Sequence, residues 1–210
     1  MRESDTELVR PCFEAASSGF VRVVTALGGD VWDRRGLGQW SVRDLVGHAS
    51  RSLSTIESYL GAPVDPAART LDGPVEYYLM LAGLHLDHEA VAQRGRQAGA
   101  ALGDDPATTV GSLADRVTSL VAASADDAPV ATPFATMALS AYLPTRTFEL
   151  AVHSLDLAEA TGINSPDELT MAVAASVVLA ARIVARTATA GDVLLALTGR
   201  RLLPDGFSVV

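Results

Sequence analysis

Three residues stand out by type and spacing as able to act together: His48, Glu149 and His153. Glu149 and His153 are four apart, so on a helix they stand one turn above the other and can converge on a single ion. Such a pair needs a third ligand from elsewhere in the chain. His48 lies three residues after Leu45 and one before Ala49, at the edge of an apolar stripe, which points it into or beside the core of a bundle. Two imidazoles and one carboxylate form the ligand set of a catalytic zinc, which keeps a fourth position for water or substrate, whereas a structural zinc is closed by four protein groups. Zinc, nickel and cobalt all accept this set. Ordinary readings stand beside it: a histidine near an apolar face is commonly a hydrogen-bonded core or surface residue, and an E-x-x-x-H spacing recurs by chance.

The elements that must position these residues read as helices. Leu8, Cys12, Ala15, Ala16, Phe20, Val23 and Leu27 recur every three or four residues, which predicts a helix from about Asp5 to Leu27, stopped by Gly28-Gly29. Ser41 and Asp44 mark a second helix start: the hydroxyl caps free amides and the carboxylate favours the positive end of the helix dipole. Trp40 and Leu45 flank that start as a hydrophobic staple, and the helix continues to about Leu60. Pro74 opens a third stretch, read as running to Leu102. A shorter helix is expected from about Val110 to Ala123. Pro144 marks a helix start or a kink in a periodic run that ends at Gly162, a natural C-terminal cap. A sixth segment, about Pro166 to Ala188, is apolar on nearly all sides, as a helix covered by others would be, and a short helix follows over Asp192 to Thr198. With no strand alternation and no internal repeat, the expected fold is all-α: four long antiparallel helices plus additions.

The chain has 210 residues and a net charge of −9, enough for one domain with its own core and an unfavourable field for nucleic acid or an anionic membrane. Its 49% apolar content with only 5% aromatics suits close-packed helices better than a β-sandwich. A single cysteine, Cys12, excludes an internal disulfide and every multi-cysteine zinc module. On the apolar face of the first helix it reads as packing. No apolar signal segment follows Met1 to Thr6, and the stretch Leu169 to Ala181 is too short to span a bilayer, so the expected location is the cytoplasm.

The segment from Gln39 through Trp40, Ser41, Asp44 and Leu45 to His48 resembles the W-[ST]-x-x-[DE]-L-x-x-H motif of the DinB-like superfamily, in particular the mycothiol-dependent maleylpyruvate isomerase N-terminal family. The segment with Arg146, Glu149, His153, Asp156 and Leu157 is similar to that family's R-x-x-E-x-x-x-H-x-x-D-L motif. Two matches in the expected order are far more specific than either alone. The resemblance implies a DinB-like four-helix bundle over residues 1–165, with a C-terminal helical extension and tail over 166–210 packed on it in the same domain. It also implies a divalent metal, usually zinc, held by His48, Glu149 and His153, whose open position receives the thiol of mycothiol. Coordination would lower the pKa of that thiol and give a thiolate at neutral pH. Addition to a conjugated double bond, rotation and elimination would then isomerise the substrate, while addition without elimination is transfer. Isomerase and transferase are both open, since the residues after Gly162 are too few for the α/β domain that completes the isomerase.

Other residues take subsidiary roles. Asp44 and Asp156 can each accept the second imidazole proton of a ligand histidine. Arg94 and Arg200, with Arg96 and Arg146, are candidates to hold a substrate carboxylate in bidentate fashion, Arg94 and Arg200 foremost. His85, His88 and Glu89 have a spacing that could also hold a metal but, lacking a partner motif, read as a solvated helical face, and Tyr77, Tyr78 and Tyr142 read as a pocket mouth or ordinary packing. The partner is expected to be a small molecule, and the protein a monomer or homodimer. Two competing readings are a non-catalytic bundle that binds a small ligand or a protein, and a tailoring enzyme of secondary metabolism that uses a metal without mycothiol.

Overall fold

Phe13, Ala16, Phe20 and Val23 are all buried on one face of helix α1 (Val9–Ala26) in the computed structural model, which describes residues 7–84 and 87–210. In chain order there follow α2 (Val42–Leu60), α3 (Pro74–Ala82), α4 (His88–Ala101), α5 (Pro106–Ala123), a hairpin of β1 (Pro129–Ala131) and β2 (Thr136–Ala138), α6 (Leu139–Thr161), α7 (Thr170–Val184) and α8 (Ala190–Leu197). Helices α1 and α2 each pack on both α5 and α6, and this ring of contacts is the four-helix bundle. The fold is all-α, and the one sheet among the described residues is this small antiparallel ribbon, in register Pro129 to Ala138, Val130 to Met137 and Ala131 to Thr136.

The stripe Val42, Leu45, Val46, Ala49, Leu53 and Ile56 on α2 is fully buried, as its periodicity requires. Helix α4 covers α2 from outside the ring, and the approach is close because neither helix carries a side chain at the crossing. A Cβ on Gly47 would stand 2.1 Å from the backbone nitrogen of Gly99, and one on Gly99 would stand 2.9 Å from the Arg43 carbonyl. Gly162 ends α6 in the left-handed conformation, φ 75°, with its amide donating to the Ala158 carbonyl at 2.9 Å.

Two expectations, one helix from Pro74 to Leu102 and a sixth segment covered on nearly all sides, are corrected, and the alternatives at Pro144 are decided. The stretch from Pro74 to Leu102 is two helices among the described residues, because the Asp87 carboxylate caps a new start by accepting from the amides of Glu89 and Ala90. Helix α6 begins at Leu139, so Pro144 lies inside it, where its missing N–H leaves one rung of the ladder unmade. Between α5 and α6 lies the hairpin, whose Val130 and Met137 are buried. Helix α7 is not covered on all sides: Ala172, Leu179 and Ile183 face α1 and α6, while Val177 is 63% and Val178 50% exposed. No helix among the described residues is long and apolar enough to cross a membrane.

Candidate metal centre

His48 owes its position to the first turn of α2. The Ser41 hydroxyl accepts from the Asp44 amide at 3.2 Å, and the Asp44 carboxylate accepts from the Ser41 amide at 3.1 Å, a reciprocal capping box. The Trp40 ring then lies 4.3 Å from the His48 ring, centroid to centroid, with its indole N–H donating to the Ala92 carbonyl of α4 at 3.0 Å. Gly95 makes room for that indole, since a Cβ there would stand 2.8 Å from it. Beyond the staple that its place before the helix start predicts, Trp40 walls one side of His48.

On the facing helix α6, Glu149 and His153 stand one turn apart, with His153 Nε2 3.5 Å from Glu149 Oε2. The His48 and His153 rings meet edge to face, with centroids 4.9 Å apart. One donor atom from each of His48, Glu149 and His153 lies within 4.8 Å of the others, so the three expected ligands do come together. Asp156 Oδ2 is 3.0 Å from His153 Nδ1, which leaves Nε2 for the cluster. The Tyr78 hydroxyl donates to Glu149 Oε1 at 2.9 Å. Asp44, spent at the helix start, makes no such contact, and His48 Nδ1 is buried without a hydrogen-bond partner among the described residues.

The electrostatics divide the two histidines. Burial, aided by the His153 charge, lowers the His48 pKa to about 4, so this ring is neutral. For His153 burial acts in the same direction but is outweighed by Asp156 and Glu149, and its pKa rises to about 9. Burial would raise the Glu149 pKa; His153 and Arg146 overcome it and bring it to about 2. The centre therefore holds a neutral imidazole, a carboxylate and an imidazolium clamped between two carboxylates.

A cavity of about 160 Å³ opens beside His48 and Glu149, lined also by Arg51, Tyr59, Phe134 and Arg146. Phe134 belongs to the hairpin turn, so the unexpected ribbon forms part of the wall. Neither Arg94 nor Arg200 lines this cavity: Arg94 is exposed on α4, and Arg200, beyond α8, is exposed with its guanidinium on the Thr198 carbonyl. Arg51 and Arg146 occupy the place expected of them. Tyr78 on Glu149 and Arg51 on the cavity were missed. Arg51 sits three after His48, one turn along α2, the one signal that could have found it. His85 and the His88 side chain lie outside the described residues, and Glu89 pairs with Arg96.

A helical bundle whose facing helices α2 and α6 converge two histidines and a glutamate belongs to the DinB-like class of all-α folds. Residues 13–158 match the family described as the mycothiol maleylpyruvate isomerase N-terminal domain, and the chain belongs to that family. No curated protein and no solved structure matches the chain.

Proposed function

We propose that the protein is a metal-dependent enzyme that activates a low-molecular-weight thiol, mycothiol, for isomerisation of, or S-transfer to, a small electrophile in the cytoplasm. The observation that carries this reading is the convergence of His48, Glu149 and His153 to within 4.8 Å, with a buried His48 nitrogen that no group among the described residues satisfies. The donor set fits a divalent ion of the zinc type, and the three side chains would hold it while leaving a position for a ligand from outside. When bound, such an ion supplies a Lewis acid that lowers the pKa of a coordinated thiol to near neutrality. The chain's one thiol, Cys12, is buried and its pKa is raised by that burial, so the reactive sulfur must come from a cofactor.

The other residues prepare the ligands. Asp156 fixes the tautomer and ring plane of His153, Tyr78 holds one oxygen of Glu149, and the Trp40 indole confines His48. The residues from 166 onward serve this site as a packed extension of the same domain, with α7 backing α6. The substrate is a small molecule, in keeping with the cavity volume and the acidic net charge.

The test is metal content in protein purified without chelator, followed by incubation of the zinc form with mycothiol and a panel of electrophiles. One equivalent of metal that is lost in His48→Ala, with a thiol adduct or an isomerised product seen by mass or chromatography, supports the reading. Metal that neither binds nor affects turnover overturns it.

A further inference from the structure

We infer that the chain pairs with a second copy of itself, each laying its last helix, α8, into an apolar groove that α7 forms with α1 on the other. The groove shares no lining residue with the cavity beside the metal centre, so the inference stands independently of the reading above.

No residue of α8 is buried, although Val193, Leu194, Leu195 and Leu197 make up half of it. Leu194 and Leu197, three apart and so on one face, are 63% and 76% exposed. So short a helix is marginal in water by itself and owes its stability to the face it buries. Among the described residues, however, α8 packs closely on no other element. The turns that lead to it are themselves tied down. The Arg186 amide donates to the Ile183 carbonyl at 3.0 Å, and the Thr187 amide and hydroxyl both donate to the Val184 carbonyl at 2.8 Å. These bonds hold α8 off the groove of its own chain, to whose lining it contributes nothing.

The groove has a volume of about 340 Å³. Met171, Ala174, Ala175 and Val178 follow the helical period and line it from α7, and Leu8 and Cys12 line it from the start of α1. The two alanines leave it hollow, while Leu8, Met171 and Val178 are each about half exposed. The hydroxyls that reach it are spent within their own helices: Thr147 donates to the Leu143 carbonyl at 3.1 Å and Ser176 to the Ala172 carbonyl at 2.7 Å. Such a lining suits apolar side chains better than a polar ligand, which would lose its hydration for few new bonds. It has about twice the ~150 Å³ of an apolar cavity that takes a benzene, room for two leucine side chains.

A second copy fits this surface better than an unlike partner, because each chain carries both an uncovered apolar helix and an unfilled groove. Another protein would cover one and leave the other bare. Arg182, near the C-terminal end of α7, also lines the groove, and α8 starts eight residues later, so helix and groove share one end of the molecule. A twofold axis beside residues 185–189 puts each α8 on the other chain's groove, and the contact closes on itself. The exposed parts of Leu8, Met171, Val178, Leu194, Leu195 and Leu197 amount to roughly 600 Å² per chain. That is about 1,200 Å² for the pair, which reaches the ~1,200–2,000 Å² that a specific interface buries.

The experiment is sedimentation of the full chain over a wide range of concentration, which should show a dimer at micromolar protein. Leu197→Glu on α8 and Val178→Glu on the groove, both at exposed positions, should each weaken the dimer about tenfold or more, since each would bury an unpaired charge. Crosslinking then fixes the pairing. Chains with Cys12→Ala and Leu197→Cys are mixed with chains carrying Cys12→Ala and Val178→Cys and treated with a short bismaleimide. The mixed product should exceed either product of like chains. These cysteine variants decide the pairing even if a glutamate variant does not fold. A monomer at every concentration, a dimer indifferent to both glutamates, or crosslinks confined to like chains would overturn the inference. So would a monomer whose groove takes up anilinonaphthalene sulfonate, an outcome that gives the groove to a small apolar molecule instead.

Discussion

Asp156 Oδ2 sits 3.0 Å from His153 Nδ1, three residues further along the same helix, and thereby decides which nitrogen of His153 faces His48 and Glu149. The contact is local in sequence and only partly exposed, so it orients the ring without relying on a distant element. Asp156→Asn should keep the fold and lower zinc affinity by about 10- to 100-fold, the usual cost of removing such a partner. Competition against a chromogenic chelator measures it, and an unchanged affinity would remove Asp156 from the account.

Tyr78 does for Glu149 what Asp156 does for His153. Its ring packs on Tyr77 and Phe148, so Tyr78→Phe preserves the packing and removes the hydroxyl that donates to Glu149 Oε1 at 2.9 Å and reaches the Thr145 carbonyl at 3.2 Å. Zinc affinity should drop by roughly tenfold, the worth of a hydrogen bond to a charged group, while the thermal midpoint of the metal-free protein moves little. A large loss of stability with unchanged affinity would make Tyr78 a packing residue.

The metal-free protein should show a stability maximum near pH 6.5. The His153 pKa is raised from 6.5 to about 9, so its contribution is fully present below 6.5 and lost as the pH rises through 9. The His48 pKa is lowered to about 4, so protons favour the unfolded chain as the pH falls from 6.5 to 4. Urea midpoints across this range test both limbs, and His153→Gln should flatten the alkaline one. Zinc must displace the His153 proton, so binding at pH 7.5 should release about one proton, read from calorimetry in buffers of different ionisation enthalpy.

The crossing of α2 and α4 depends on two missing side chains. Gly47→Ala would press a methyl against the Gly99 backbone at 2.1 Å, where no rotamer can yield, and should destabilise by about 1–3 kcal/mol or more. Gly28→Ala, with nothing within 4 Å of the new Cβ, should be close to neutral. Chemical denaturation of the pair is the check, and equal midpoints would contradict the packing described.

What could be read in the chain was what is encoded locally. Ser41 and Asp44 announce the start of α2 within four residues, Gly162 announces the end of α6, and the two motif segments place all three triad residues on facing helices. The break at Asp87 escaped notice because the apolar period continues across it, and only the capping carboxylate marks the new start. Strands of three residues, such as Pro129–Ala131, are too short for alternation to show. The partners of Glu149 and the lining of the cavity escaped for another reason: Tyr78 and Arg51 reach α6 and the cavity from elements brought together only by the bundle. For Arg94 and Arg200 the sequence offers residue type alone, and type does not say which face a guanidinium takes.

The central claim is that His48, Glu149 and His153 hold a divalent ion with a position left open for an external thiol. Cobalt(II) substitution tests it most directly, since the ion reports both its geometry and a bound sulfur in its visible spectrum. The account predicts one equivalent of cobalt in a four-coordinate spectrum, a new sulfur-to-metal band on adding mycothiol, and loss of both in His48→Ala. Failure to bind cobalt, or a spectrum that mycothiol leaves unaltered, would contradict it.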